Sequence, residues 1–140
     1  MNGPSLHLSW KELACKDGTP YPEPWRTTRA IVLATEFERI RAAVGTGIVI
    51  GSAYRTAAHN RKVGGARNSQ HLEGRALDLS LPREWTIERF YRVIREVAMQ
   101  PESCLYGLGR YPSFIHVDVR PAHGRLVVWH GRRAWAEIKT

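Results

Sequence analysis

Two histidines and one aspartate stand at positions where they could hold a metal ion. Asp78 lies in the alternating segment Ala76–Leu81, seven residues after His71, and His116 lies in a second alternating segment, Phe114–Arg120. On converging strands these residues would form a set of two imidazoles and one carboxylate, which zinc favours when its fourth position holds a reactive water. The spacing leaves open a simpler interpretation, in which both strands expose polar side chains to solvent.

The alternation within these segments predicts which side chains share a face. Successive side chains of a strand point to opposite faces, so His116, Asp118 and Arg120 lie together, away from their apolar neighbours. By the same rule, Asp78 lies on the polar face of its own strand. Gly74, just before that strand, permits the chain to change direction tightly.

Three further segments have helical patterns. Apolar residues recur at intervals of three and four in Thr27–Val44 and Thr86–Met99, which predicts two amphipathic helices. Leu6–Glu12 predicts a short helical turn, because Ser9 and Glu12 form a capping box.

Short β-branched segments predict the remaining strands. They are Ile48–Arg55, Leu105–Leu108, Arg125–Trp129 and Ala134–Ile138, in addition to the two segments above. The glycine-containing stretch after Arg55 predicts a long loop that includes at most one helical turn, and long loops inside compact domains are usually functional. Two principal helices with a mainly antiparallel sheet indicate an α+β fold.

Length and composition exclude several classes of protein. The 140 residues fit a single domain, 1–140, and the hydrophobic share of 43% is that of an ordinary globular protein. No apolar run is long enough to predict membrane insertion. Cys15 and Cys104 belong to no CxxC pattern, so a zinc-ribbon fold is excluded. The net charge of +8 indicates attraction to polyanions, such as nucleic acid, an acidic membrane or an anionic cell wall.

Two runs of the chain, Ser52–Leu81 and Tyr106–Pro121, closely resemble the zinc peptidases of the M15 type. This family includes D-alanyl-D-alanine carboxypeptidases and dipeptidases and several phage cell-wall endopeptidases. Its motif S-x-H-x-x-G-x-A-x-D is complete as Ser69, His71, Gly74, Ala76 and Asp78, with Tyr54–Arg55 upstream and His116 and Asp118 downstream. The opening HLSWKELACKDG is similar to the start of the small branch of the family, and the resemblance extends from Leu6 to Trp135.

The resemblance implies a fold like that of the hedgehog signalling domain and the DD-peptidases. It also implies Zn²⁺ held by His71, Asp78 and His116. Arg55 would steady the scissile carbonyl or the charge that develops on it, because a guanidinium keeps its charge throughout. Ser69 and Tyr54 are the candidate substrate-binding residues, and Ser69 has the alternative role of orienting the loop before His71.

The general base is the assignment on which the chain departs from the family pattern. Many relatives carry an acidic residue three positions before the second ligand histidine, where this chain has Ser113. Asp118, on the same strand face as His116, is the candidate base. Its alternative role is a carboxylate that supports a ligand or pairs with an arginine, in which case Glu73 is the next candidate base.

The resemblance supplies the expected substrate, the peptide stems or cross-links of peptidoglycan. Cleavage by an endopeptidase and by a carboxypeptidase both stay open. The alternative is a non-catalytic zinc-containing binding module of the same fold, which the missing acid at Ser113 favours. We expect a monomer that binds no nucleic acid, since no nucleic-acid motif accompanies the charge.

The opening MNGPSLHLSWKEL has no apolar core, so no Sec signal peptide is expected and the protein is made in the cytoplasm. An enzyme that reaches the wall through a pore protein, or as part of a virion, fits this expectation. Trp129 is expected in the core or at the edge of the cleft.

Overall fold

Four helices and six strands make up the part of the chain that the computed structural model describes, residues 2–121 and 124–139. The helices are α1 (Trp10–Leu13), α2 (Arg29–Val44), α3 (Ala57–Lys62) and α4 (Ile87–Ala98), with one 3-10 turn at Glu23–Trp25. The strands are β1 (Ile50–Ser52), β2 (Ala76–Ser80), β3 (Gly107–Arg110), β4 (Phe114–Asp118), β5 (Arg125–His130) and β6 (Arg133–Ile138).

The helices begin and end at the residues whose chemistry favours a terminus. The predicted capping box of α1 forms, since Glu12 N donates to Ser9 Oγ at 3.1 Å and Ser9 N donates to Glu12 Oε1 at 2.9 Å. The Thr86 hydroxyl caps α4 in the same way, by accepting a hydrogen bond from Arg89 N. Helix α2 ends at Gly45, which takes a left-handed conformation with φ of +80°.

The strands form one sheet in the order β1-β2-β4-β3-β5-β6. All neighbouring pairs are antiparallel except β3 and β5, which run parallel. The α+β fold, with a mainly antiparallel sheet and the two principal helices α2 and α4, is therefore confirmed.

The two faces of the sheet differ as the alternation predicted. One face contributes buried aliphatic side chains to a hydrophobic cluster that also contains residues of α2 and α4. The strand members of this cluster are Ile50, Leu77, Leu79, Leu108, Ile115, Val117, Leu126 and Val128. The opposite face carries Asp78, His116 and Asp118. The helices thus support the polar face of the sheet from behind.

The strand predicted over Ile48–Arg55 is shorter in the structure. Strand β1 keeps only three residues, and its pairing with β2 is irregular between Ile50 and Ser52. Past this point the backbone N–H of Tyr54 donates to Leu13 O and that of Arg55 donates to His71 O, so the chain has left the sheet. The strand predicted at Leu105–Leu108 is displaced to Gly107–Arg110.

None of the helices within residues 2–121 and 124–139 is both long enough and apolar enough to cross a membrane.

Candidate metal centre

The three residues proposed as metal ligands meet on the polar face of the sheet. Asp78 and His116 are paired directly across the antiparallel strands β2 and β4. His71 Nε2 and His116 Nδ1 each lie 3.1 Å from Asp78 Oδ1. One donor atom from each residue lies within 4.8 Å of the others, and all three side chains are buried. The structure therefore brings together the set that the sequence predicted, in an arrangement that could hold a metal ion.

A tight loop places His71 beside the strands. The Ser69 hydroxyl accepts a hydrogen bond from His71 N at 3.2 Å, and Gly74 turns the chain with φ of +65°. The Tyr21 hydroxyl donates to Gly74 O at 2.7 Å. A Cβ at Gly74 would lie 2.6 Å from Cε3 of Trp25, so the position requires glycine for space as well as for conformation.

The second ring nitrogen of each histidine has a fixed partner. His71 Nδ1 lies 2.6 Å from Ala53 O, and His116 Nε2 lies 2.7 Å from Asp118 Oδ2. A carbonyl only accepts, so Nδ1 of His71 donates, and the neutral imidazole would offer Nε2 to a metal. The carboxylate orients His116 in the opposite sense, so its neutral imidazole would offer Nδ1. Histidines held in this way are typical of metal sites, and the donor set fits a cation such as zinc.

The electrostatics of the set keep its carboxylate ionised. Burial raises the pKa of Asp78, but its hydrogen bonds with His116 and His71 outweigh burial and hold that pKa well below its usual range. Burial lowers the pKa of His71. Burial also acts to lower the pKa of His116, but the hydrogen bonds with Asp118 and Asp78 outweigh it, so this pKa is raised.

Asp118 lies behind His116 and away from the surface. Its side chain is fully buried, at 0% exposure, and both of its oxygens accept hydrogen bonds. Arg120 donates from Nε to Oδ1 and from Nη2 to Oδ2, each at 2.8 Å, while His116 bonds to Oδ2. Burial raises the pKa of Asp118, but the bonds from Arg120 and His116 hold it well below its usual range. Asp118 lines neither of the two cavities beside the candidate ligands.

The three candidate ligands His71, Asp78 and His116, here called the metal-binding set, line one cavity, and Asp78 also lines a second cavity beside it. The first has a volume of about 510 Å³ and the second about 480 Å³. Both are lined by Arg55, Asp78 and Phe114, so they form one cleft. His71 and His116 line only the first cavity.

Arg55 lies in the wall of both cavities and is held by three neighbours. Its Nε donates to Ser52 Oγ at 3.0 Å, Nη1 donates to Asn60 Oδ1 at 3.2 Å, and Nη2 donates to Asp78 Oδ2 at 3.3 Å. The guanidinium is thus fixed beside the metal-binding set, and one of its contacts is with a member of the set.

The other residues predicted to act in the site lie in different places. Ser69 lines the first cavity and Ser113 lines the second. Tyr54 lines neither; its ring packs edge-to-face on Tyr21 and Trp25, with centroids 6.2 and 6.0 Å apart. Glu73 also lines neither cavity, and its half-exposed carboxylate lies 3.9 Å from Nη1 of Arg29.

Several residues of the cleft have no role in the sequence analysis. Tyr111 and Arg132 line the first cavity, with Trp129, which was expected in the core or at the edge. The Trp129 ring lies 5.0 Å from that of His116, and a Cβ at Gly109 would lie 2.4 Å from this ring. Gly107 similarly leaves room for the Asp118 carboxylate. Two glycines alternating in one strand were the available signal, because such a strand leaves room for large neighbours.

No curated protein matches the chain. A family model described as Peptidase M15 matches residues 6–118. The match begins at Leu6, as the resemblance implied, and ends before Trp135, so it leaves out β5 and β6. Because the match covers most of the chain and includes His71, Asp78 and His116, the chain belongs to the peptidase M15 family.

Proposed function

We propose that the protein is a zinc-dependent peptidase that hydrolyses amide bonds in the stem peptides or cross-links of peptidoglycan. The observation that carries this proposal is the buried set of His71, Asp78 and His116 at the centre of an open cleft. Membership of the peptidase M15 family supports hydrolysis of a peptide bond. The net charge of +8 fits an anionic wall as the substrate.

The donors for zinc in this proposal are Nε2 of His71, a carboxylate oxygen of Asp78 and Nδ1 of His116. Bound zinc would supply a water with a pKa of about 7 and would polarise the scissile carbonyl. Arg55 is the cation best positioned to stabilise the negative charge that develops on the carbonyl oxygen, since it is fixed beside Asp78 and lines both cavities. Ser69 keeps two roles, because it contacts His71 and also faces the cavity.

Two of the sequence-based assignments change in this proposal. Asp118 takes the second of its two roles, as the carboxylate that positions His116, because a base must reach the cavity and Asp118 is fully buried behind the ligand. Tyr54 takes a packing role, since it supports the loop of His71 through Tyr21 and Trp25. Glu73 faces solvent near Arg29, so its geometry does not support the alternative base role.

The test is to incubate zinc-loaded protein with intact peptidoglycan, with and without a chelator, and to identify the released fragments by mass. We expect fragments that carry new peptide termini and that disappear when the chelator is present. His71→Ala should lose bound zinc and activity together, whereas Glu73→Gln should keep both. A His71→Ala protein that retains zinc and full activity would contradict the ligand assignment.

A second candidate function is a non-catalytic zinc-containing module that binds a cell wall or another protein. The observation in its favour is that, among the described residues, Asp78 is the only carboxylate that lines either cavity, while Ser113 occupies the position of the missing acid. This module would bind peptidoglycan in a pull-down assay and release no fragments from several wall types.

The remaining expectations on partners and location stay predictions. They are a monomer without nucleic-acid partners, and access to the wall through a pore protein or as part of a virion. Gel filtration and a pull-down with duplex DNA at physiological salt would test the first two directly.

A further inference from the structure

The cleft extends across the sheet on both sides of the metal-binding set. Its second cavity is lined by Gly51 and Ser52 of β1 and by Ser80 of β2. Its first cavity is lined by Trp129 of β5 and Ala134 of β6. Asp78 and His116 of the metal-binding set lie between them, on β2 and β4, which are inner strands of the sheet. The set is therefore in the middle of a channel that runs across the strands.

Each half of this channel can hold part of a peptide. Ligand pockets in proteins typically have volumes of about 300–1,000 Å³. The two cavities, at about 510 and 480 Å³, both fall within that range. A peptide whose scissile bond lies at the metal-binding set thus has room for residues on each side of that bond.

Neither end of the channel is closed. The second cavity is lined by two exposed residues, Lys16 and Val63, the latter at 51% exposure. The first cavity is lined by the exposed Arg132. A peptidase that removes a terminal residue needs a wall beyond the scissile bond and a cation that marks the terminal carboxylate. Here cations line both cavities, so charge does not distinguish one cavity as the seat of a chain terminus.

We propose that the protein is an endopeptidase, which cleaves an internal amide bond of a peptide that occupies both cavities. This inference rests on the proposed function and narrows it from two modes of cleavage to one. Phe114 lines both cavities and is stacked on Tyr111, with ring centroids 4.3 Å apart and planes 4° apart. This aromatic pair forms a rigid surface that the peptide crosses as it passes from one cavity to the other.

The first test compares two stem-type peptides of the same sequence, one with a free carboxyl terminus and one acetylated and amidated at its ends. We expect chelator-sensitive cleavage of both at the same internal bond. Cleavage of the free peptide alone, with release of only its last residue, would overturn the inference while supporting the proposed peptidase function.

The second test measures binding, so it does not depend on turnover. Val63→Trp fills the second cavity and Ala134→Trp fills the first, while Val49→Trp changes an exposed valine that lines neither cavity. With a chelator present so that the blocked peptide is not cleaved, we expect each filling variant to weaken its binding by about tenfold or more by calorimetry, and the control to match the parent protein. Circular dichroism checks that all three variants are folded.

The outcomes of the two tests separate the two proposals. Binding that only one filling variant weakens would overturn the endopeptidase inference, because one cavity would then lie outside the substrate site. Binding that both weaken, without cleavage of either peptide, would support the two-sided substrate site and contradict the proposed peptidase.

Discussion

Each histidine of the metal-binding set has one ring nitrogen fixed by the protein, and the two are fixed by groups of different charge. His71 is held by a neutral acceptor, the carbonyl oxygen of Ala53. His116 is held by the carboxylate of Asp118, which Arg120 fixes in turn. The ring orientation of each histidine is therefore fixed before a metal binds, and so is the nitrogen that its neutral form would offer. Groups that hold ligands in this way affect metal affinity as well as activity.

Asp118→Asn tests this view of Asp118. If Asp118 positions His116, its replacement should lower zinc affinity by about 10–100-fold. Activity should largely return when zinc is saturating. The measurement is competition with a chromophoric chelator, followed by activity at high zinc.

A general base would behave differently in that experiment. Its loss would leave zinc affinity unchanged and lower turnover by about 10²–10⁴-fold at any zinc concentration. Glu36→Gln is a matched control, because Glu36 is also buried but accepts its hydrogen bond from Ser103, which does not line the cleft. The control should leave zinc affinity unchanged.

At the scale of elements, the loop before β2 determines whether the ligands meet. Gly74 turns this loop, and both Tyr21 and Trp25 pack directly against it. Tyr21 and Trp25 thus act on the metal site although they lie far from it in the sequence.

Gly74→Ala should destabilise the protein and weaken zinc binding together. A left-handed conformation alone costs an alanine roughly 1–2 kcal/mol. Gly45→Ala measures that cost by itself, since Gly45 has φ of +80° and no atom within 4 Å of an added Cβ. Urea unfolding should show a clearly larger loss for Gly74→Ala, and only this variant should lose zinc affinity. Equal losses of stability in the two variants would show that Trp25 and Tyr21 move aside for the added methyl group at no further cost.

The sequence predicted the parts of the fold that depend on local patterns. Alternation placed Asp78 and His116 on one face, and the capping box located α1, because each signal lies within a few residues. The parallel pairing of β3 with β5 is a long-range feature that no local pattern encodes. The burial of Asp118 depends on Arg120 and on the space left by Gly107 across the strands, so its role could not be read from spacing.

At the scale of the whole molecule, the excess of cations extends into the substrate cleft. Arg55, Arg120 and Arg132 line the first cavity, and Lys16 lines the second. An anionic polymer is therefore attracted by the surface and also by the site itself.

Activity on intact peptidoglycan should fall when salt is raised. Screening shortens the Debye length from about 10 Å at 0.1 M to about 3 Å at 1 M. We expect kcat/KM on the polymer to drop severalfold over this range, with a much smaller change for a neutral, end-blocked peptide. The same dependence for both substrates would mean that salt acts on the fold or the metal and not on attraction to the wall.

Strands β5 and β6 form one wall of the cleft, and they lie after residues 6–118, which the family model matches. This hairpin is attached to the sheet by parallel backbone pairing with β3, and such hydrogen bonds are made by any sequence that can form a strand. Trp129 packs beside the ring of His116, and Leu126 and Val128 belong to the hydrophobic core, so these positions are constrained. Arg132 is exposed in the turn between the two strands and can be exchanged without altering a metal ligand. The exposed turn of the hairpin is therefore the place where the shape and charge of the cleft can be changed while the metal-binding set stays as it is.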